Sequence, residues 1–254
     1  MMNATPQDNN QDNDVRRADL VIANHILVNE GVLDGFGHIS VRDVSNPNQF
    51  FIARSMAPGL VALADLVVCD LEGNVIDPQN RRTYVERFIH SEIYRARPDV
   101  QSVIHSHSPA LIPFGVISSA GARLRPICHM SGFLGATTPV FEIRHSAGED
   151  SDLLIRNQQL GKALAASLGN AAVALLRGHG NVVVGTSIQQ SVFRAINTEK
   201  NAYLQSQAML LSAAVGTADE VMYLSAQEAK AASDMNDEHL DRPWQMWKRQ
   251  VAVN

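Results

Sequence analysis

The chain has 254 residues, 45% of them hydrophobic and 19% charged, with 26 acidic against 21 basic side chains and a net charge of −5 at pH 7. Such a composition can bury a sizeable core, which excludes a disordered protein. The acidic balance, with no basic run, excludes nucleic acid and an anionic membrane as partners. Two cysteines, Cys69 and Cys128, lie far apart and form no CxxC pair, so a disulfide scaffold and a thiolate zinc cluster are excluded. That usage fits a reducing, cytoplasmic setting. A charged share below roughly a quarter hints at surface given to subunit contacts.

The first residues, MMNATPQDNNQDND, are polar and acidic. They fit no secretory signal, and a disordered leader is expected over residues 1–15. No apolar run approaches the roughly 18 residues of a membrane span. Asp14 is placed to cap a first helix ending near Glu30, with Leu20, Val21, Ile22, Ile26 and Leu27 on its apolar side. HISVRD (His38–Asp43) and QFFIARS (Gln49–Ser55) read as strands joined by an Asn-Pro turn, and Leu66–Asp77 as a hairpin with Glu72-Gly73-Asn74 at its tip.

Thr83 is expected to start a second helix that stops near Pro98. VQSVIHSHS (Val100–Ser108) is a short β-rich run, and a helix follows with Pro109 in its first turn. Beyond a loop-rich middle come a helix around Gln159–Leu168 and two apolar strands within Ala171–Ser187. A long helix spans Ile188 to about Leu211, and Gln227–Asn254 reads as an amphipathic helical tail carrying Trp244 and Trp247. Strands with intervening helices imply a mixed α/β sheet with helices on its faces. The division expected is a catalytic domain over 16–225 and a tail over 226–254.

Three of the nine histidines sit where metal ligands would be placed. His105 and His107 are two apart in a strand-like run, so they project from one face about 7 Å apart and can reach one ion with bonds of about 2.1 Å. His179 lies between Gly178 and Gly180 at a strand end, where backbone freedom can turn a side chain inward. The plainer alternative is a pair of strand histidines and a tight turn with a surface imidazole. Three histidines with an open position suit catalysis better than a closed structural site. In the preceding helix Glu86, His90 and Tyr94 follow i, i+4, i+8 and share a face. Glu86 is either a solvated helix residue or, because its helix leads into the histidine strand, a catalytic carboxylate.

The order Glu86-x3-His90, RPDVQSVIHSH (Arg97–His107) and LLRGHG (Leu175–Gly180) resembles the class II aldolase/adducin family over roughly Arg16 to Gln207. The resemblance implies a single-domain α/β/α sandwich around a largely antiparallel central sheet. It further implies a homotetramer with sites at subunit interfaces, one divalent metal ion per subunit (zinc or manganese) held by His105, His107 and His179, and Glu86 as acid/base. Sugar-phosphate members carry T-x-G-N-x-S and Ser-Ser segments that cradle phosphate. Here GFGHIS and Tyr84-Val85 stand in those places, which removes the charge-assisted donors a phosphate dianion needs. Gly35 and Gly37 then serve a turn. With GHISVR, ERFIHSEIYRARPDV and HSHSPALIPFGV, the chain is most similar to the family's decarboxylase branch, acting on hydroxylated aromatic or heteroaromatic carboxylates as in aromatic compound catabolism.

That resemblance implies a lyase in which the metal stabilises an enolate-like carbanion left by loss of CO2. Glu86 would exchange the proton, its carboxyl pKa raised by the apolar helix face. His129 aligns with a catalytic tyrosine that a neighbouring subunit contributes in aldolases, and is either a proton donor, a carboxylate binder or a plain loop histidine. Phe36, His38 and Tyr84 would suit a flat ring or an acid without phosphate, and Arg177 would pair with a substrate carboxylate or with a surface acid. The alternatives are an aldolase of an unphosphorylated hydroxy-oxo acid or sugar acid, and a non-catalytic adducin-like interaction module.

Overall fold

A computed structural model describes residues 6–77, 79–118, 123–216 and 221–252. The first helix, α1, runs Pro6–Asn29. It starts well before Asp14, so the expected leader over residues 1–15 is helical from Pro6 onward. Asn13 is what ties this end down. Its amide donates to Asp43 Oδ1 at 2.8 Å and to Ser45 Oγ at 3.0 Å, while its own oxygen accepts the Val44 N–H.

Eight strands follow the apolar runs closely: β1 (His38–Arg42), β2 (Gln49–Ala53), β3 (Leu66–Asp70), β4 (Val75–Ile76), β5 (Ser102–Ser106), β6 (Val140–Phe141), β7 (Val173–Leu176) and β8 (Gly180–Gly185). They form one sheet in the order β4-β3-β2-β1-β5-β8-β7-β6, antiparallel at every pairing except β6–β7. The helices are α2 (Arg87–Ala96), α3 (Ile112–Val116), α4 (Arg144–Ala147), α5 (Gln158–Leu168), α6 (Ile188–Ala214), α7 (Ala226–Asp237) and α8 (Asp241–Ala252).

Side chains alternate across each strand and so divide the core in two. Ile39, Val41, Ile104 and Val183 pack with α1, α6 and α8 on one face. Ile52, Val103, Val182 and Val184 pack with α2 and α5 on the other. The α/β/α layering around a largely antiparallel sheet is therefore present. Among the described residues no helix is long and apolar enough to cross a membrane.

Two elements start later than their sequence suggests, for local reasons. Thr83 is held against the end of β2, its hydroxyl donating to Ala53 O at 2.7 Å and its backbone bridging Arg54. The helix accordingly begins at Arg87, leaving Glu86 as its N-cap residue. In α3 it is Pro113 rather than Pro109 that occupies the first turn. Helices α5, α6 and α7 carry recognisable caps: Asn157 accepts Leu160 N–H, Ser187 accepts Gln190 N–H, and Ser225 forms a capping box with Glu228.

Trp244 and Trp247 are both buried within the chain's own core beside α1 and α6. Truncating a large buried aromatic removes its transfer energy and leaves a cavity. Trp247→Ala should therefore lower the unfolding free energy in urea by about 3 to 5 kcal/mol. A loss under about 1 kcal/mol would place this helix outside the core.

Candidate active site

β5 delivers His105, fully buried on the α2 face, and the chain leaving it delivers His107. β8 starts beside it, with Ser106 opposite Asn181. A Cβ on Gly180 would sit 2.0 Å from Ser106 O, so only glycine allows the two strands this close. Gly178, at φ +66°, makes the left-handed turn that carries His179 back over the strand ends. The three rings meet: His107 Nε2 lies 3.2 Å from His105 Nε2 and 3.1 Å from His179 Nε2.

Glu86 completes the group. Its Oε2 lies 3.5 Å from His105 Nε2 and 3.7 Å from His179 Nε2, and its Oε1 accepts the Ile155 N–H at 2.9 Å. The four ligand atoms lie within 4.8 Å of one another, a set that could hold a metal ion. Its chemistry fits a divalent ion. His105 donates Nδ1–H to Asn181 O at 3.0 Å, which leaves the Nε2 lone pair directed into the cluster. Burial and the neighbouring His105 push His179 down to about 4, and burial lowers His107 as well, so both imidazoles are neutral at neutral pH, the form a metal ion requires.

Glu86 departs from the sequence expectation. Burial does oppose its charge, but His105, His179 and the Ile155 amide outweigh that and draw the carboxyl down to about 2. It is a carboxylate at neutral pH, not an acid held protonated by an apolar face.

A cleft of about 440 Å3 opens beside the cluster, lined by Phe36, His38, Tyr84, Glu86, His107 and Leu154. A larger groove, about 640 Å3, lies between α2 and α5 around Glu72, Glu92, Arg95 and Lys162, and none of the histidines lines it. Phe36 is 70% exposed at the cleft mouth, its ring 6.3 Å from that of His107. Tyr84 lies tilted against His38 with ring centres 4.5 Å apart, but its hydroxyl is taken up by Met56 O at 2.8 Å, so it offers a ligand a ring face rather than a donor. Burial raises that phenol to about 12.

Two expected contacts lie elsewhere. Arg177 Nε sits 2.5 Å from Glu142 Oε2, in a group shared with Arg144, and does not line the cleft. Its surface-acid alternative is the one realised. His129 is exposed, in a separate hollow with Met130, Met235 and His239, and the Asn236 amide donates to its carbonyl. Within one chain it does not reach the cluster. Cys128 packs beside Ser131 and Asn201.

Sequence reasoning missed two parts. Ser40 stands i+2 from His38 on β1, so strand alternation puts both on the α2 face. There Ser40 Oγ is hydrogen bonded to His90 Nδ1 at 2.6 Å and to the Tyr94 hydroxyl at 2.8 Å, and His90 Nε2 to His38 Nδ1 at 2.7 Å. That alternation was the available signal. The second is the loop around Leu153–Ile155, whose amide holds Glu86 from 69 positions away. Leu153 takes a left-handed φ of +70° there, and nothing in its residue types announces the contact.

The fold thus brings a histidine–carboxylate cluster that could hold a metal ion to the edge of a cleft. The chain belongs to the class II aldolase and adducin family: the Class II Aldolase and Adducin N-terminal domain matches residues 18–206. It is 41% identical over 245 residues to decarboxylase tropJ of Talaromyces stipitatus, covering 90% of this chain and 91% of that one. It is 30% identical over 206 residues to a 3,4-dihydroxyphthalate decarboxylase of Arthrobacter keyseri, covering 75% and 77%. L-fuculose 1-phosphate aldolase from Glaciozyma antarctica shares the fold with a TM-score of 0.75 at 24% identity, covering 98% of this chain and 93% of that one. The protein is thus a lyase of this family, with decarboxylases among its relatives.

The buried histidines also set acid stability. Burial draws His90 down to about 3, and burial together with His90 lowers His38 well below the ordinary value near 6.5. Folded, they stay neutral where the unfolded chain would protonate them. Their contribution is thus complete above pH 6.5 and shrinks as pH falls, by up to about 1.4 kcal/mol per pH unit for each. Glu86, lowered to about 2, adds a loss of the same sign below about pH 5. Urea unfolding of metal-free protein should lose about 2 to 4 kcal/mol between pH 7 and pH 5. A flat profile would mean that these rings are solvated.

Proposed function

We propose that the protein is a divalent-metal-dependent decarboxylase of a hydroxylated aromatic or heteroaromatic carboxylate. The observation that carries this reading is the convergence of three imidazoles and one carboxylate at the floor of a cleft walled by Phe36, Tyr84 and His38. The relatives named as decarboxylases support it. His105, His107 and His179 would hold the ion, zinc or manganese. Bound there, the metal would act as a Lewis acid on substrate oxygen and favour negative charge at the carbon losing CO2.

The chain's own groups supply the rest. Glu86 enters as a carboxylate, so its first act is to accept the proton of the substrate hydroxyl. The C–C bond to the carboxylate then breaks, its electron pair stays on the ring carbon, and CO2 leaves. Glu86 returns the proton to that carbon, and water restores the hydroxyl. The Ile155 amide fixes Oε1 throughout, which leaves Oε2 to carry the proton. Phe36 and Tyr84 offer flat faces to a ring, and neither donates to a phosphate. Val85 is exposed and apolar where phosphate-binding relatives place a hydroxyl. These features favour an unphosphorylated substrate.

His129 serves only if the molecule assembles, in the homotetramer that the family resemblance implies, so that a neighbour's His129 approaches this cleft. His129→Ala should then lower turnover while leaving metal content intact.

The test is metal analysis combined with CO2 release from hydroxylated aromatic dicarboxylates, 3,4-dihydroxyphthalate among them. Near one equivalent of metal per chain and chelator-sensitive CO2 are expected, and His107→Ala should lower both at least about a hundredfold. Metal with a released carbonyl product but no CO2 would replace the reading with aldol cleavage of an unphosphorylated hydroxy-oxo acid. Full activity in His107→Ala would end the metal-centred account.

A further inference from the structure

Beneath the cleft a file of four polar side chains runs through the otherwise apolar layer between β1 and α2. It begins at Tyr94, buried among Phe50 and the Arg42 guanidinium. From there it passes 2.8 Å to Ser40 Oγ, 2.6 Å on to His90 Nδ1, and 2.7 Å from His90 Nε2 to His38 Nδ1. Tyr94, Ser40 and His90 are fully buried, and the His38 ring lines the cleft. With Nδ1 engaged, Nε2 is the nitrogen His38 has left for a ligand.

Counting donors fixes the direction of this file. The Tyr94 hydroxyl has Ser40 Oγ as its partner, and a buried O–H without an acceptor is costly. Tyr94 therefore donates to Ser40. The single Ser40 proton must then go to His90 Nδ1, which makes Nδ1 an acceptor and places the His90 proton on Nε2. That proton is donated to His38 Nδ1, so the proton of neutral His38 lies on Nε2 and points into the cleft. The opposite direction would strand the Tyr94 hydroxyl and leave His38 an acceptor facing an anionic substrate.

We propose that Tyr94, Ser40 and His90 are positioning residues that lock the His38 tautomer, making His38 a fixed Nε2–H donor to an anionic oxygen of the substrate. This rests on the hydroxy-carboxylate reading for the identity of that oxygen, while the tautomer itself does not depend on it. A substrate whose bound oxygen lacks charge gains less, so the file selects for acids and phenolates over neutral isosteres.

Two measurements test it. In metal-free protein labelled with 15N-histidine, long-range 1H–15N spectra should show His38, assigned by its loss in His38→Asn, with its proton on Nε2. Ser40→Ala, which removes the donor to His90 Nδ1, should convert it to a mixture of tautomers. An Nδ1–H signal in the wild type, or a spectrum that Ser40→Ala leaves unchanged, would overturn the proposal. Because this reading needs no turnover, it stands apart from the decarboxylase assay. If no acid in that panel yields CO2, the functional reading falls and the tautomer is still decided.

The second measurement is a double-mutant cycle on ligand affinity in metal-loaded protein, with 2-hydroxybenzoate and catechol as calorimetric probes. Ser40→Ala should weaken 2-hydroxybenzoate about tenfold, the effect of one charge-assisted hydrogen bond. In a His38→Asn background, where an amide donor has no tautomer to lose, the same change should cost less than about twofold. Weakening of 2-hydroxybenzoate alone assigns the oxygen to the carboxylate, and weakening of catechol as well assigns it to the phenolate. Equal losses in both backgrounds would reduce Ser40 to a packing role and overturn the relay.

Discussion

The approach of β5 to β8 at their adjoining ends is the constraint on which the site depends. Gly180 faces Ser106 O at a distance no side chain could share, and the following register sets Asn181 opposite Ser106 and Val182 opposite His105. With the strands that close, Asn181 O orients His105 and the left-handed turn at Gly178 folds His179 over the same spot. The three Nε2 atoms meet because two backbones do. A rigid sheet, rather than a flexible loop, therefore holds the geometry, as a preorganised polar site requires.

α2 brings the remaining chemistry to that point, and Arg42 secures α2. From β1 the Arg42 guanidinium donates to the carbonyls of Tyr94, Arg97, Val100 and Pro47, satisfying the end of the helix and the turn after it. Gly161 of α5 packs so near that a Cβ there would sit 2.4 Å from Phe88 O, so α5 presses on the same helix from outside. Held on both sides, α2 presents Glu86, His90 and Tyr94 along one buried face. Three groups that would be costly alone are stabilised by partners on β1, β5 and the loop at Ile155.

Much of this was legible in the sequence because it is written in local periods. The HxH spacing on a strand, the i, i+4, i+8 face of α2 and the glycines around His179 each follow from backbone geometry, and all three lead to the cluster. The helical start before Asp14 was not legible, since it depends on Asn13 meeting Asp43 and Ser45 thirty residues away. The charge on Glu86 was misread for the same reason: an apolar helix face suggests a raised carboxyl pKa, but His105 from β5 and His179 from the turn before β8 lower it. Arg177 shows the opposite limit. Its place beside the GHG turn suggested the substrate, and a carboxylate on the neighbouring segment claims it instead.

The central claim, that the sheet places three imidazole Nε2 atoms on one ion, is tested most directly by anomalous diffraction from crystals loaded with zinc or manganese. The account requires a single strong peak per chain about 2.1 Å from Nε2 of His105, His107 and His179. A peak bound elsewhere, a peak ligated by fewer than three of these nitrogens, or none after loading would contradict it.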